Sequence, residues 1–277
     1  MPDAIFANPR LAGVYDGLDP DRSDLDVYAA MAAEFGARSV LDVGCGTGTF
    51  ACSLAGRGLE LIGVDPAGAS LAVARAKPGA AAVRWLHGDA TSLPPLQVDL
   101  ATMTGNVAQV FTTDDQWSAT LRGVGAALRP GGRLVFEARD PARQAWLGWT
   151  RELTFVRKQI PGAGVVQSWH ELTGVSGELV SFRSVIVFEA DDTVLTSTST
   201  LRFRDRGDIE GSLAGLGYEL DEVRDAPDRP GLEFVFVASR PPNASAGSRC
   251  HHLRAGALVR RSGPGHPAGP RPGQDTV

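Results

Sequence analysis

Residues 40–48 read Val-Leu-Asp-Val-Gly-Cys-Gly-Thr-Gly, an apolar strand that runs directly into a glycine-rich turn. Glycine tolerates positive φ and leaves the backbone open to a ligand, and a helix start beyond such a turn attracts negative groups. The spacing is G-x-G-x-G, whereas a dinucleotide-binding turn reads G-x-G-x-x-G and holds pyrophosphate. Asp42, two residues before Gly44, would repel pyrophosphate and attract an ammonium group. The turn therefore predicts a ligand that carries both an amine and a carboxylate.

The composition is that of a globular protein with an acidic body. The chain has 277 residues, 43% of them hydrophobic, and a net charge of -5. Residues 241–277 contain five arginines and one aspartate, so the first 240 residues carry about -9. An acidic body does not favour a nucleic-acid surface. We therefore expect no nucleic-acid partner, while the composition leaves the oligomeric state open.

The cysteines and the apolar segments predict a cytoplasmic protein. There are three cysteines, Cys45, Cys52 and Cys250, and an odd number with one in the glycine turn indicates a reducing compartment. No spacing of cysteine and histidine resembles a zinc site, so we expect no metal. We also find no signal-peptide pattern and no apolar stretch near the roughly 18 residues of a membrane helix.

Apolar strands alternate with helical patterns through the first half of the chain. We predict strands at 39–43, 59–64, 82–86, 98–103 and 133–138, which is typical of a doubly wound parallel α/β sheet. The pattern then changes, and 146–205 reads as an antiparallel β insertion. A helix near 208–216 and strands near 218–223 and 232–237 complete the domain, and we predict that the glycine- and proline-rich stretch 241–277 is a disordered tail.

Two aspartates follow predicted strands at ligand-binding positions. Asp65 lies 21 residues after Gly44, at the end of the second strand, where an acid can accept hydrogen bonds from both ribose hydroxyls; capping the helix after Pro66 is the alternative. Asp89 follows the third strand and would meet the adenine edge, or would be an ordinary loop residue. S-adenosylmethionine has a ribose and an adenine, and its methionine end carries the amine and the carboxylate that the glycine turn calls for.

Four segments, 40–48, 63–66, 88–90 and 128–132, resemble in order and spacing the motifs of class I S-adenosylmethionine-dependent methyltransferases. The resemblance implies a Rossmann-like seven-stranded sheet with an antiparallel last strand, over residues 1–240. It makes Gly48 part of the cofactor turn and places Tyr15, before the first predicted helix, over the cofactor. The cofactor-binding residues that it implies are Tyr15, Asp42, Gly44, Cys45, Gly46, Asp65, Pro66, Gly88, Asp89, Ala90 and Thr104.

A narrower resemblance concerns the methyl acceptor. Residues 105–108 and 136–140 are similar to segments of glycine and sarcosine N-methyltransferases, which implies that Asn106 lies near the acceptor nitrogen and that Arg139 binds an acceptor carboxylate. Glu137 and Asp140 flank the arginine, however, and a local salt bridge would compete for it. If the insertion acts as a lid, Trp169 and His170 would line the acceptor pocket. The catalytic group is unassigned, with Asn106 and His170 as candidates.

The leading hypothesis is methyl transfer from S-adenosylmethionine to a nitrogen or oxygen of a small molecule. An NAD-dependent oxidoreductase is the alternative enzyme, against which the glycine spacing and Asp42 count. A cofactor-sensing module without catalysis is the non-enzymatic alternative, because cofactor binding does not prove turnover.

Overall fold

The computed structural model describes residues 1–242. The predicted tail lies outside the described residues from residue 243 onward. The helices are α1 Ala4–Ala7, α2 Pro9–Leu18, α3 Asp26–Glu34, α4 Thr49–Ser53, α5 Gly68–Ala76, α6 Asp114–Ala127, α7 Arg151–Thr154 and α8 Arg206–Gly215. The strands are β1 Ser39–Val43, β2 Glu60–Asp65, β3 Val83–His87, β4 Val98–Met103, β5 Leu128–Arg139, β6 Val156–Ile160, β7 Gly164–Ser176, β8 Leu179–Phe188, β9 Thr193–Arg202, β10 Glu219–Asp225 and β11 Glu233–Ser239.

Seven strands form one twisted sheet in the order β10-β11-β5-β4-β1-β2-β3. The five strands β1 to β5 run parallel, and β11 is antiparallel to both of its neighbours. β1 is buried at every residue, as expected for a parallel strand covered on both faces. This arrangement confirms the predicted seven-stranded sheet with an antiparallel last strand.

The insertion after β5 forms a second sheet of its own. β6, β7, β8 and β9 pair in sequence order and antiparallel throughout, which confirms the predicted antiparallel insertion. Each turn lets the next strand pair with its predecessor, so the sheet is built from local hairpins. The sheet lies between β5 and α8 in the sequence.

Three hydrophobic clusters hold these layers together. Two of them pack the opposite faces of the seven-stranded sheet, around Trp117 and Phe136 on one face and around Phe50 and Leu100 on the other. The third cluster joins α2 to the second sheet, through Leu11, Val14, Ile160, Val166, Ile186 and Phe188. The N-terminal helices and the insertion therefore share a core that is separate from the main one.

The N-terminal helices correct one expectation. We placed Tyr15 before the first helix, but it lies within α2. The signal is present in the sequence: the Asn8 side chain accepts hydrogen bonds from the backbone N–H groups of Arg10 and Leu11, and Pro9 occupies the first helical position. Both are favoured at a helix start.

Candidate active site

A cavity of about 610 Å³ opens at the carboxyl ends of β1, β2 and β4, where open α/β sheets bind their ligands. Most of the predicted cofactor residues border it, namely Tyr15, Asp42, Gly44, Cys45, Gly46, Asp65, Pro66, Asp89 and Thr104. Gly88 and Ala90 do not: Ala90 is buried in the core, and Gly88 packs against Ser92. The predicted nucleotide-binding residues thus converge on one space, apart from these two.

The three glycines of the turn, Gly44, Gly46 and Gly48, all have positive φ but have different structural roles. Gly46, with φ of 52°, has no atom within 4 Å of where a Cβ would stand, so its backbone is open. A Cβ on Gly44 would meet the Val107 side chain at 2.7 Å, and one on Gly48 would meet the Trp85 ring at 2.4 Å. Gly46 therefore gives access to the cavity, whereas Gly48 is required for packing and does not border it.

Asp65 borders the cavity and binds two backbone N–H groups. Its Oδ1 accepts the backbone N–H of Ala67 at 2.7 Å, and its Oδ2 accepts the N–H of Gly46 at 2.8 Å. Ala67 precedes α5, and the helix has no side-chain cap, so Asp65 does not cap it. A carboxylate offers about four lone-pair directions, so two remain for a ligand in the cavity that Asp65 borders. Burial raises the pKa of Asp65, although these two backbone donors oppose the shift.

Asp42 is a buried carboxyl group at the floor of the cavity. Its side chain is 2% exposed, and its Oδ1 accepts a hydrogen bond from the Thr102 hydroxyl at 3.1 Å. Burial raises the pKa of Asp42 to about 7, and the nearby charge of Asp65 adds to the shift. An ammonium group beside it would favour the ionised form. The site is thus arranged to gain from a cation and to lose from an anion.

The charged side chains that border the cavity are mostly negative, which also favours a cation. Four aspartates border it, namely Asp3, Asp42, Asp65 and Asp89, against one basic side chain within residues 1–242, Arg22. The Arg22 guanidinium is paired with Asp24 at 3.0 Å. Sequence reasoning missed Arg22, which lies in an irregular segment without any motif; its proximity to the cavity depends on the packing of α2.

The N-terminal helices are tied to the glycine turn by a polar latch, which we define as Asp16, Thr47, Thr49 and Lys77. The Asp16 carboxylate accepts the hydroxyl of Thr47 at 2.6 Å and pairs with the Lys77 Nζ at 2.6 Å. Lys77 also donates to the Thr49 hydroxyl at 2.6 Å. The latch holds α2, and with it the cavity residue Tyr15, against the start of α4.

The predicted acceptor residues do not border this cavity. Arg139 is held by Glu233, 3.4 Å away, and donates to Gln109 Oε1 at 3.1 Å. Its partner is therefore a residue of β11, and neither flanking acid, Glu137 or Asp140, pairs with it. The Arg139 guanidinium also lies 5.9 Å from the centre of the Trp149 ring.

The other acceptor candidates are engaged within the protein. Asn106 is buried, and its backbone N–H donates to Glu137 at 2.9 Å. Trp169 donates its indole N–H to Glu171 at 2.7 Å. His170 Nδ1 lies 3.0 Å from the Ser184 hydroxyl, and burial, then the charge of Arg139, lower the pKa of His170. Both effects favour the uncharged form of the imidazole.

Two kinds of feature are absent from the described part of the chain. Residues 1–242 hold no group of three or more histidine, cysteine, aspartate or glutamate side chains that could bind a metal ion. Within the same range, no helix has the length and apolar character needed to cross a bilayer.

Residues 40–132 match a protein family described as a methyltransferase domain. A relative, the cypemycin N-terminal methyltransferase of Streptomyces sp, is 33% identical over 120 residues, which are 43% of this chain and 49% of that protein. The chain spans about half the length of the curated relatives it matches first.

Two solved structures share the fold. A S-adenosylmethionine-dependent methyltransferase from Clostridium acetobutylicum superposes with a TM-score of 0.68 at 17% identity, over 84% of this chain and 98% of the other. An amino pentose methyltransferase from Micromonospora echinaspora, involved in calicheamicin biosynthesis and solved with its cofactor bound, gives 0.62 at 22% identity, over 82% and 96%. Residues 40–132 thus match a methyltransferase domain, and the chain has the fold of S-adenosylmethionine-dependent methyltransferases.

Proposed function

We propose that the protein transfers a methyl group from S-adenosylmethionine to a nitrogen or oxygen of a small molecule. The observation that carries the proposal is the acidic floor of the cavity, with Asp42 and Asp65 on either side of the glycine turn. This floor suits the ammonium group and the ribose of the cofactor. It is unsuited to the pyrophosphate of NAD, which removes the basis for an oxidoreductase.

Each part of the cofactor has a partner in the cavity wall. Gly46 offers open backbone, and Asp42 would hold the ammonium group. Asp65 would accept the ribose hydroxyls with its two remaining lone pairs, and Asp89 would meet the adenine. Arg22 is the basic side chain available to the carboxylate. When bound, the cofactor supplies a methyl group that its sulfonium already activates.

The chain's contribution to the reaction is then orientation and exclusion of water. Fixing two reactants in line can remove several kcal/mol of the barrier, of the order of 7–11 in the best cases. A neutral amine needs no strong base before it attacks, whereas a hydroxyl acceptor would need one. Burial favours the uncharged imidazole of His170, the form that can accept a proton, so His170 is our candidate for that role.

The acceptor assignments belong to the same proposal. We propose that Asn106, Arg139, Trp169 and His170 face the acceptor, with the insertion 146–205 acting as a lid of a domain that spans 1–240. Thr200 of β9 borders the cavity, which supports a lid. The charge of Arg139 is already shared with Glu233, so binding an acceptor carboxylate would require it to exchange partners.

Two statements about the surroundings complete the proposal. We place the reaction in the cytoplasm, because the thiol of Cys45 stands free in the cofactor turn, where oxidation would disrupt binding. We also expect no nucleic-acid partner, because the acidic charge of residues 1–240 would repel phosphates.

Calorimetry with S-adenosylmethionine and, separately, with NADH tests the cofactor. Binding of the former alone supports the proposal, and binding of NADH alone overturns it. A screen of small amines and alcohols, read out as S-adenosylhomocysteine formed, then tests catalysis. Cofactor binding without product from any acceptor would favour the cofactor-sensing module.

A further inference from the structure

The loop that follows β4 has two successive residues in the left-handed region of the backbone. Gly105 has a φ of 70° and Asn106 a φ of 62°. Glycine adopts this conformation freely, whereas asparagine does so against steric resistance. Such a residue persists only when its surroundings hold it in place. The question is therefore which group holds Asn106.

The shape of this loop matters to the cofactor cavity. Thr104, Gly105 and Val107 border the cavity. The Val107 side chain also stands where a Cβ on Gly44 would be, at 2.7 Å, so the loop packs directly on the glycine turn. Any shift of the loop backbone would change the wall at the point where loop and turn meet.

Glu137, near the end of β5, is the group that holds Asn106 in place. Its Oε1 accepts the backbone N–H of Asn106 at 2.9 Å, and its Oε2 accepts the hydroxyl of Tyr28 in α3. Glu137 is 8% exposed and does not border the cavity. One buried carboxyl group therefore connects the loop to both β5 and α3.

The side chain of Asn106 contributes less than its backbone. Its Nδ2 lies 3.5 Å from Glu137 and 3.4 Å from Glu233, which are long hydrogen bonds. Its Oδ1 is buried without a hydrogen-bond partner in the part of the chain described. The short bond from the backbone N–H is the contact that fixes the left-handed conformation.

We infer that Glu137 is a positioning residue for the cofactor site, which it shapes by holding the 104–107 loop through the Asn106 backbone. The inference rests on the proposed function, since it concerns the same cofactor. Glu137 would affect cofactor affinity through the shape of the 104–107 loop, without touching the cofactor itself. It also predicts that Glu137 becomes dispensable when residue 106 is a glycine, which adopts the left-handed conformation unaided.

The test measures binding of S-adenosylhomocysteine by calorimetry, together with the melting temperature, at a single pH above the pKa of Asp42. Glu137→Met keeps the length of the side chain and removes both acceptors, so we expect affinity to fall about tenfold. Glu137→Gln keeps one acceptor oxygen for the Asn106 N–H, and its affinity should stay within about threefold of the original chain.

The decisive variant is Glu137→Met combined with Asn106→Gly. Glycine takes up the left-handed conformation unaided, so affinity should return to within about threefold of the original chain. Glu233→Met is the matched control, because Glu233 is a buried carboxyl group that reaches Asn106 through its side chain and not its backbone, besides pairing with Arg139 and Arg229. It should lower the melting temperature and leave affinity within about threefold.

Three results would decide against parts of this reading. If the original chain binds no S-adenosylhomocysteine, the proposed function fails. If it binds and Glu137→Met binds equally well, Glu137 does not position the site. If Glu137→Met is weak and Asn106→Gly restores nothing, the loss is general destabilisation, and the inference is again wrong.

Discussion

Asp65 binds the backbone of Gly46 and of Ala67 with two of its lone pairs and keeps two for a ligand. Asp65→Ala should therefore weaken S-adenosylmethionine binding by about 1–3 kcal/mol, because the ribose hydroxyls lose their acceptor. Calorimetry measures this directly. Asp191→Ala, which removes an exposed aspartate paired with Arg10, should bind as the original chain does. Unchanged affinity in Asp65→Ala would remove Asp65 from the site.

Asp42 should make cofactor binding depend on pH. Its pKa in the free protein is about 7, and a bound ammonium group would lower it. Below that pH the carboxyl group must release a proton when the cofactor binds, so affinity should rise between about pH 6 and pH 8. Titrations in buffers of different ionisation enthalpy would count the released proton. Asp42→Asn should bind weakly and release none.

The same group should limit the stability of the unliganded protein. Its pKa is raised from 3.8 to about 7 by folding, so the folded chain binds more protons than the unfolded chain between these values. The contribution of Asp42 to the free energy of unfolding therefore falls as pH rises through this range. At pH 8, the free energy of unfolding of Asp42→Asn should be about 1–3 kcal/mol higher than that of the original chain. Chemical denaturation at pH 8 and at pH 4 would show whether the gain is confined to the higher pH.

At the scale of elements, alanine substitutions in the glycine turn distinguish three effects, namely backbone strain, loss of packing and loss of access to the cavity. Gly36, at the end of α3, has positive φ and free space around it, as Gly46 does. Gly36→Ala and Gly46→Ala should each cost about 1–2 kcal/mol of stability, but only Gly46→Ala should weaken cofactor binding. Gly48→Ala should cost about 2–5 kcal/mol, because its Cβ overlaps the Trp85 ring. Denaturation and calorimetry on the three variants would check the order.

The sequence predicted the elements that local patterns encode. An unbroken apolar run into G-x-G-x-G is enough to predict β1, its turn and the position of Asp65. The insertion was visible from the alternation of its side chains. The Asn8-Pro9 start of α2 was equally local and was overlooked.

What the sequence could not supply is contact between distant residues. Arg139 was expected to bind an acceptor carboxylate, with Glu137 or Asp140 as the competing local partner, yet the carboxylate that pairs with it is Glu233, on the strand that β5 meets antiparallel. The bond from Asn106 to Glu137 and the nearness of Arg22 to the cavity are of the same kind. They depend on strand order and helix packing, which no spacing in the sequence records.

At the scale of the whole molecule, the polar latch sets how easily the N-terminal helices leave the cavity. Asp16→Asn removes the charge that Lys77 and two threonine hydroxyls share. We expect bound S-adenosylhomocysteine to dissociate about 3–10 times faster, since a charge-assisted contact is lost. Stopped-flow displacement measures this rate. Glu210→Gln, which breaks a surface pair with Arg206 on α8, should leave the rate as it was.

The core that α2 shares with the second sheet binds together two segments separated by more than a hundred residues of chain. Neither can be exchanged alone, because replacing the insertion with that of a different protein of the same fold would deprive Leu11 and Val14 of their apolar neighbours. A new acceptor specificity introduced by such a graft would have to bring its own first eighteen residues with it. The beginning of the chain and its middle would thus be inherited as a matched pair.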